Sequence, residues 1–293
     1  VPNNRRFRIL VNPVAGHGRA PARALPVAKQ LRAAGFEAEI VSTTSPRDAV
    51  ERAIACAKED VVAVAAGGDG MVALVAGAVV QSGGLFGIIP GGRGNDFARQ
   101  LGIDLTGDAA VIAETLQSAA VRNVDVIEAA GRIVIGSVYS GVDSRASVIL
   151  DKTRFVPGPL QYRYAALRAL ATYKPVNFVV EIDGVRHEQR GANIVVANSG
   201  YYGSGMHIAP RAEVDDGMLD VVIIDAASRL ALVKSMPKVY DGSHAELPEV
   251  HMLRGKEITV SADTAVDAYA DGDLLSLLPV TATVRAGALK TIA

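Results

Sequence analysis

Two hydrophobic periods alternate through the first third of the chain. Short apolar runs at Arg8–Val11, Glu37–Val41, Val61–Ala65 and Leu85–Ile89 have the length of buried strands. Between them lie stretches at helical spacing. Ala20–Ala34 carries Leu25, Ala28, Leu31 and Arg32, with Pro21 in its first turn and Gly35 at its C-cap. Ser45-Pro46 predicts an N-cap and first turn for a helix reaching Lys58. Met71–Val80 is apolar enough for a buried helix, and Phe97–Leu101 and Ala109–Ala119 predict two more. Strand and helix taken in this order predict a parallel sheet.

From about Asn123 the pattern becomes mostly strand. Val124–Ala129, Ile133–Val138, Asn177–Ile182, Ala192–Ala197, Leu219–Ile224, Glu257–Ser261, Ala265–Tyr269 and Val280–Arg285 are the candidates. Asp183-Gly184 is a hairpin signal between two of them. One helical segment, about Leu160–Tyr173, interrupts the run. The expectation is an α/β domain with a parallel sheet over residues 1–122, then a mainly antiparallel β domain over 123–279. No internal repeat or flexible linker stands out.

A length of 293 residues and 30.5 kDa suits two domains or one large one. With 49% hydrophobic and 21% charged residues the chain can bury a core and is not disordered. Thirty basic against 31 acidic residues lack the basic excess of a dedicated nucleic-acid binder. Cys56 stands alone, which excludes an intrachain disulfide framework and a cysteine zinc site. Its neighbours Ala53, Ile54 and Ala57 make it a buried helix residue, and one unpaired thiol fits a reducing cytoplasm. The five histidines, among them His17, have no metal spacing. No apolar run approaches the ~18 residues of a membrane helix, and no signal peptide is visible. Mean hydropathy of +0.24 comes largely from alanine and valine, which a sheet covered on both faces absorbs.

Three predicted strands end in glycine-rich loops: Asn12-Pro13-Val14-Ala15-Gly16-His17-Gly18, Gly67-Gly68-Asp69-Gly70 and Pro90-Gly91-Gly92-Arg93-Gly94-Asn95-Asp96. Loops at the carboxyl ends of parallel strands line the ligand crevice of an open α/β sheet. Glycine lets backbone N–H groups approach phosphate oxygens, and a following helix N-terminus adds a favourable dipole. Any one loop alone reads equally as a tight strand-to-helix turn. Three together point to phosphate. None has the Gly-Lys-Ser/Thr ending of a Walker A loop or the spaced dinucleotide fingerprint.

Gly67-Gly68-Asp69-Gly70 resembles the GGDGT signature of the diacylglycerol kinase and sphingosine kinase superfamily, shared more remotely with NAD kinases and phosphofructokinases. The bacterial lipid kinase branch fits best. Asn12-Pro13-Val14-Ala15-Gly16 is similar to its NPxSG loop, and Pro90 to Ala98 to its P-x-G-T-x-N-D-F-A segment. Asn198-Ser199, Ile208-Ala209-Pro210, Asp216-Gly217-Met218-Leu219-Asp220 and Ala270-Asp271-Gly272-Asp273 look like later landmarks in the right order. The resemblance implies a β-sandwich second domain, with about residues 280–293 returning to the first domain. It also implies ATP between the domains and γ-phosphoryl transfer to a lipid hydroxyl, most simply that of diacylglycerol. The implied nucleotide contacts are Asn12, Pro13, Ala15, Gly16, Thr43, Gly67, Gly68, Asp69, Gly70, Met71, Arg93, Asn95 and Asp96.

Several positions depart from the pattern. Met71 replaces the Thr of GGDGT, Ala73-Leu74 an Asn-Glu, Ala15 a Ser, Arg93 a Thr and Asp273 a Glu. Lost hydroxyls weaken the case for full activity, whereas Arg93 either adds a cation for phosphate or faces solvent.

Phosphoryl transfer needs positioning, charge neutralisation by Mg²⁺ and a carboxylate to take the hydroxyl proton. Asp69 and Asp96, inside phosphate loops, are assigned to Mg²⁺ organisation through water. Read alone, Asp271-Gly272-Asp273 is a hairpin turn. The resemblance makes Asp273 the proton acceptor and Asp271 its partner, with Asp69 as rival base. It also implies a structural Mg²⁺ on Asp216 and the carbonyls of Glu213 and Met218, against an ordinary acidic turn before the Leu219 strand.

Between Asp151 and Glu181 there is no acid, while Lys152, Arg154, Arg163, Arg168 and Lys174 accompany Phe155, Tyr162, Tyr164, Leu167, Leu170 and Tyr173. Such a segment either approaches an anionic bilayer or packs on the sandwich with a basic rim. The leading expectation is a cytoplasmic lipid kinase bound peripherally to the inner face of the membrane, using ATP and Mg²⁺, with no nucleic-acid partner and its oligomeric state, monomer or homodimer, left open. The alternatives are a catalytically weakened lipid- or nucleotide-binding protein and an NAD kinase-like enzyme.

Overall fold

The computed structural model of the chain describes residues 5–13, 19–152, 164–165 and 168–293. They form two compact units. The first holds residues up to Val126 with Gly203–Gly205 and Ala286–Ala293; the second holds Ile127–Tyr202 and Met206–Arg285.

The first unit is built on β1 (Arg6–Val11), β2 (Glu37–Ser42), β3 (Val62–Gly67) and β4 (Phe86–Pro90), all parallel, in the order β2-β1-β3-β4. Helices α1 (Arg19–Ala33), α2 (Pro46–Lys58), α3 (Asp69–Ser82), α4 (Asp96–Gln100) and α5 (Ala109–Ser118) connect and cover these strands. Every residue of β3 and β4 is buried, as a central strand covered on both faces requires. Phe7, Ile9, Leu31, Val64, Ile89, Ile112 and Leu116 form the core, each contributing roughly 1.5–3 kcal/mol on burial. The Ser45 hydroxyl accepts from Asp48 N at 3.1 Å and starts α2 as its position predicts. Leu25 differs from expectation. It is 62% exposed, because α1 turns Ala20, Ala24, Val27, Ala28 and Leu31 to the sheet. Cys56 is buried in α2.

The second unit is antiparallel. Its strands are β5 (Val121–Ala129), which begins in the first unit, β6 (Arg132–Val134), β7 (Ser137–Gly141), β8 (Val176–Ile182), β9 (Val185–Ala197), the short pair β10 (Tyr201–Tyr202) and β11 (Met206–His207), β12 (Leu219–Asp225), β13 (Val250–Gly255), β14 (Glu257–Ala262), β15 (Asp267–Ala270), β16 (Asp273–Leu277) and β17 (Val280–Ile292). Asp183 and Gly184, both at positive φ, make the two-residue hairpin between β8 and β9. The long β9 gives its first half to β8 and its second half to β7 and β12. Phe178, Val180, Ile194, Val196, Val221, Ile258 and Val260 fill the core between them.

Three expectations are corrected here. The single strand Ile133–Val138 is two strands, interrupted at Ile135-Gly136 where those amides turn to the Asp271 carboxylate. The second unit also holds helices α6 (Val142–Lys152) and α7 (Arg229–Asp241) besides the helical residues at 168–171, not one helical segment. The strand predicted over Val280–Arg285 is longer, β17 running on to Ile292. Its first residues pair with β14 and Thr291 pairs with Phe86 of β4, in the first unit.

Candidate active site

Strands β3 and β4 are neighbours and parallel, so their following loops leave the same edge of the sheet. Gly91 N donates to Gly67 O at 2.7 Å and zips the two loops together. The backbones then come closer than side chains permit: a Cβ on Gly92 would stand 2.4 Å from the Gly68 Cα. Glycine is required there by contact, not by torsion. Asn95 sits at φ +52°, and its amide oxygen accepts from Gly92 N at 2.8 Å, closing the second loop on itself.

Asp69, in the first turn of α3, ties the loops from the other side. Its two carboxylate oxygens accept from Asn95 N at 3.0 Å and Asp96 N at 2.6 Å. The Asp96 carboxylate is buried and accepts from Ser204 N at 2.9 Å and Gly205 N at 2.7 Å. Burial, and after it the nearby Asp69 charge, push this carboxyl up to about 6. A Cβ on Gly94 would meet Asp69, Asp96 and Ser204 together, so the loop passes through a space with room only for backbone.

Arg93, at the tip of the second loop, is exposed, and among the described residues it makes no hydrogen bond or ion pair. Met71 begins α3 with its N–H donated to Gly68 O at 3.0 Å. At the ends of β1 and β2, Thr43 is buried and donates its N–H to Val11 O at 2.8 Å, beside Asn12 and Pro13. Ala15, Gly16 and His17 lie outside the described residues. The structure thus brings Gly67, Gly68, Asp69, Gly92, Asn95 and Asp96 into one interlocked cluster within the first unit. The contact at Ser204 and Gly205 had no sequence signal.

In the second unit Asp271 and Gly272 form the hairpin turn between β15 and β16, with φ of +49° and +94°. The Asp271 carboxylate accepts from Ile135 N and Gly136 N at 2.9 Å and from Ser137 N at 3.2 Å. Three amide donors make it an anchor for the 135–137 turn. Asp273 is exposed at the start of β16, and its side chain makes no hydrogen bond or ion pair among the described residues. A half-buried group the sequence did not flag is Asp143, whose carboxylate accepts from the Tyr202 hydroxyl and the Asn193 amide. Burial raises its carboxyl and, further, the Tyr202 phenol.

Gly141, Val142, Arg145, Val148, Arg168 and Lys174 are among the residues lining a cavity of ≈ 670 Å³ in this unit. Its wall is mostly apolar and its cations have no carboxylate partner among the described residues. Arg145 donates to Thr172 Oγ1 at 2.9 Å and Arg168 to the Tyr164 hydroxyl at 2.9 Å. Arg154, Phe155, Tyr162, Arg163 and Leu167 lie outside the described residues.

The metal expectations meet a different chemistry. Asp216 receives the Arg254 guanidinium, and its other oxygen accepts from Met218 N at 3.0 Å; Arg254 also lies 3.6 Å from Asp220. A guanidinium already balances these acids, and Glu213 is exposed. The residues here do not fit a resident cation. Asp69 and Asp96 spend their carboxylates on backbone amides, and the described residues hold no cluster of three or more acidic, histidine or cysteine side chains suited to a metal.

A parallel α/β unit with two interlocked glycine loops is thus followed along the chain by an antiparallel β unit. Residues 6–129 match the family model of the diacylglycerol kinase catalytic domain, and residues 136–293 that of the YegS C-terminal NAD kinase beta sandwich-like domain. A diacylglycerol kinase of Mycobacterium tuberculosis is 30% identical over 97% of this chain and 93% of its own length. One from Bacillus subtilis is 25% identical over 94% of this chain and 92% of its own. A crystal structure of a diacylglycerol kinase from Bacillus anthracis superposes with a TM-score of 0.75 at 23% identity, over 98% of this chain and 96% of that one, and supports the fold. The chain belongs to the bacterial diacylglycerol kinase-like family of lipid kinases.

Proposed function

We propose that the chain transfers the γ-phosphoryl group of Mg·ATP to the free hydroxyl of diacylglycerol, giving ADP and phosphatidic acid. The observation that carries this reading is the Gly68–Gly92 contact locked by Asp69, with Arg93 exposed and unpaired beside it. Backbone N–H groups at the start of α3 and in the second loop then face the phosphates, with Asn12, Pro13 and Thr43 toward the nucleoside. Arg93 supplies the cation that a hydroxyl family member lacks. Asp69 and Asp96 position the loops. Mg²⁺ arrives on the phosphates of its substrate, which needs few protein ligands. Asp273 takes the hydroxyl proton, its carboxylate being uncommitted where that of Asp271 is not. The apolar cavity beside α6 holds the acyl chains, and the chain works at the inner face of the membrane.

The test is transfer of labelled terminal phosphate from ATP into bacterial lipid extract supplemented with diacylglycerol or sphingosine. A labelled phosphatidic acid that falls by roughly 10²-fold or more in Asp273→Asn supports the reading. No labelled lipid, with ATP binding intact by calorimetry, points instead to a binding protein of the same fold.

A further inference from the structure

We infer that α7 is a bilayer-docking helix, whose outward face enters the headgroup layer of an anionic membrane. The choice of a bilayer as partner rests on the lipid-kinase reading; the surface itself does not. Leu230 is 64% exposed, Val233 39% and Tyr240 54%. With exposed Pro237 they fall at i, i+3, i+7 and i+10, a single ridge along the helix. Arg229, Lys234 and Lys238 flank that ridge, and none has an ion-pair partner among the described residues. Residues 226–240 contain no acid. Asp241, at the end of the helix, spends its carboxylate on Ser243 N at 2.9 Å and Ser243 Oγ at 2.6 Å.

The helix is firmly built, which separates this ridge from a frayed segment. Ser228 caps its start, accepting from Ala231 N at 3.2 Å, and Gly242 at φ +81° ends it. An adjoining face, about 100° round the helix, is anchored: Leu232 and Met236 pack with Leu170 and Tyr173. Those two residues belong to the segment that carries Arg168 and Lys174, which line the apolar cavity. The cavity wall and the exposed ridge therefore share one core. A capped helix with an apolar ridge flanked by unpaired cations matches an interfacial helix on anionic lipid. An acidic protein would meet the cations but leave the Leu230–Val233–Tyr240 ridge without a reason.

The experiment uses the full chain and flotation with large vesicles, either phosphatidylglycerol and phosphatidylcholine in equal parts or phosphatidylcholine alone. The parent is expected on the anionic vesicles, less so at high salt. Leu230→Ser/Val233→Ser/Tyr240→Ser and, separately, Lys234→Glu/Lys238→Glu are each expected to weaken that partition at least ~10-fold, since each surface cation contributes about fivefold. Circular dichroism should show parent-like melting, the changed side chains being exposed. Both variants are expected to keep the parent's phosphoryl-transfer rate on short-chain diacylglycerol dispersed in detergent. A parent that ignores anionic vesicles, or variants within twofold of it, overturns the inference. So does a dimer in sedimentation that both variants disrupt while vesicle binding persists, because the ridge then belongs to a second copy. A parent that binds vesicles through α7 yet transfers no phosphate in detergent leaves the docking helix standing and removes the kinase reading.

Discussion

Replacing Asp69 by Asn keeps the shape of the side chain and removes its charge. In the parent the carboxylate accepts two consecutive amides, from Asn95 at 3.0 Å and Asp96 at 2.6 Å. An asparagine can accept one and must turn its NH₂ toward the other. The change loses one charge-assisted bond and leaves a donor facing a donor, together about 3 kcal/mol. For a domain of this size that lowers the melting temperature by roughly 10 °C. The deficit depends on pH through Asp96, whose carboxyl stands at about 6. Because the folded chain holds that proton more tightly than the unfolded chain, Asp96 adds stability that is fully present below about pH 4 and lost as pH rises through about 6. Desolvation is the larger cause and the Asp69 charge the second. Asp69→Asn abolishes that repulsion, which exists only where Asp96 is ionised. The gap between parent and variant should therefore be wider at pH 5 than at pH 7.5. Differential scanning fluorimetry at the two pH values measures it. An unchanged melting temperature would show that the carboxylate does not hold the two amides. A gap independent of pH would show that Asp69 does not act on Asp96.

Gly92→Ala forces a Cβ to within 2.4 Å of the Gly68 Cα and should cost about 1–3 kcal/mol and weaken ATP binding at least ~10-fold by calorimetry. Gly83→Ala, with open space around it at φ +72°, should cost about 1 kcal/mol and leave ATP affinity alone. Asp271→Ala orphans three amides and should destabilise the chain by about 3 kcal/mol, read by urea unfolding, whereas Asp273→Asn should leave stability within about 0.5 kcal/mol. With Arg254 already on Asp216, a chelator should leave the melting temperature of the nucleotide-free chain unchanged; a clear drop would restore a resident cation to that loop.

Much of this was legible in the chain. The strand–helix alternation of the first unit and the Asp183-Gly184 hairpin follow from local chemistry that tertiary contacts reinforce. The glycine runs at 67–70 and 90–96 do follow neighbouring parallel strands, as their place in the pattern predicts. What the sequence concealed was pairing at a distance. Asp69 and Asp96 read as metal organisers because acids among glycines look unspent. Their partners are amides at 95–96 and 204–205, and backbone donors leave no trace in residue type. Asp271 was hidden likewise behind amides more than a hundred residues away. Helix α7 escaped because Pro237 interrupts it and its outward Leu230 and Val233 blur the helical period that burial would sharpen.

Strand β17 carries a consequence for the order of manufacture. Leu289, Thr291 and Ile292 are buried, and Ile292 joins the core built around β1 and β3. The first unit to be translated is thus missing a wall until some 160 further residues have been added after Val126. While the nascent chain emerges, β4 presents an unpaired parallel edge, a surface prone to sticking. The second unit, closing mostly through hairpins between sequence neighbours, can settle in the interval. Synthesis would then run in one direction and completion in the other, the opening segment being the last to become whole.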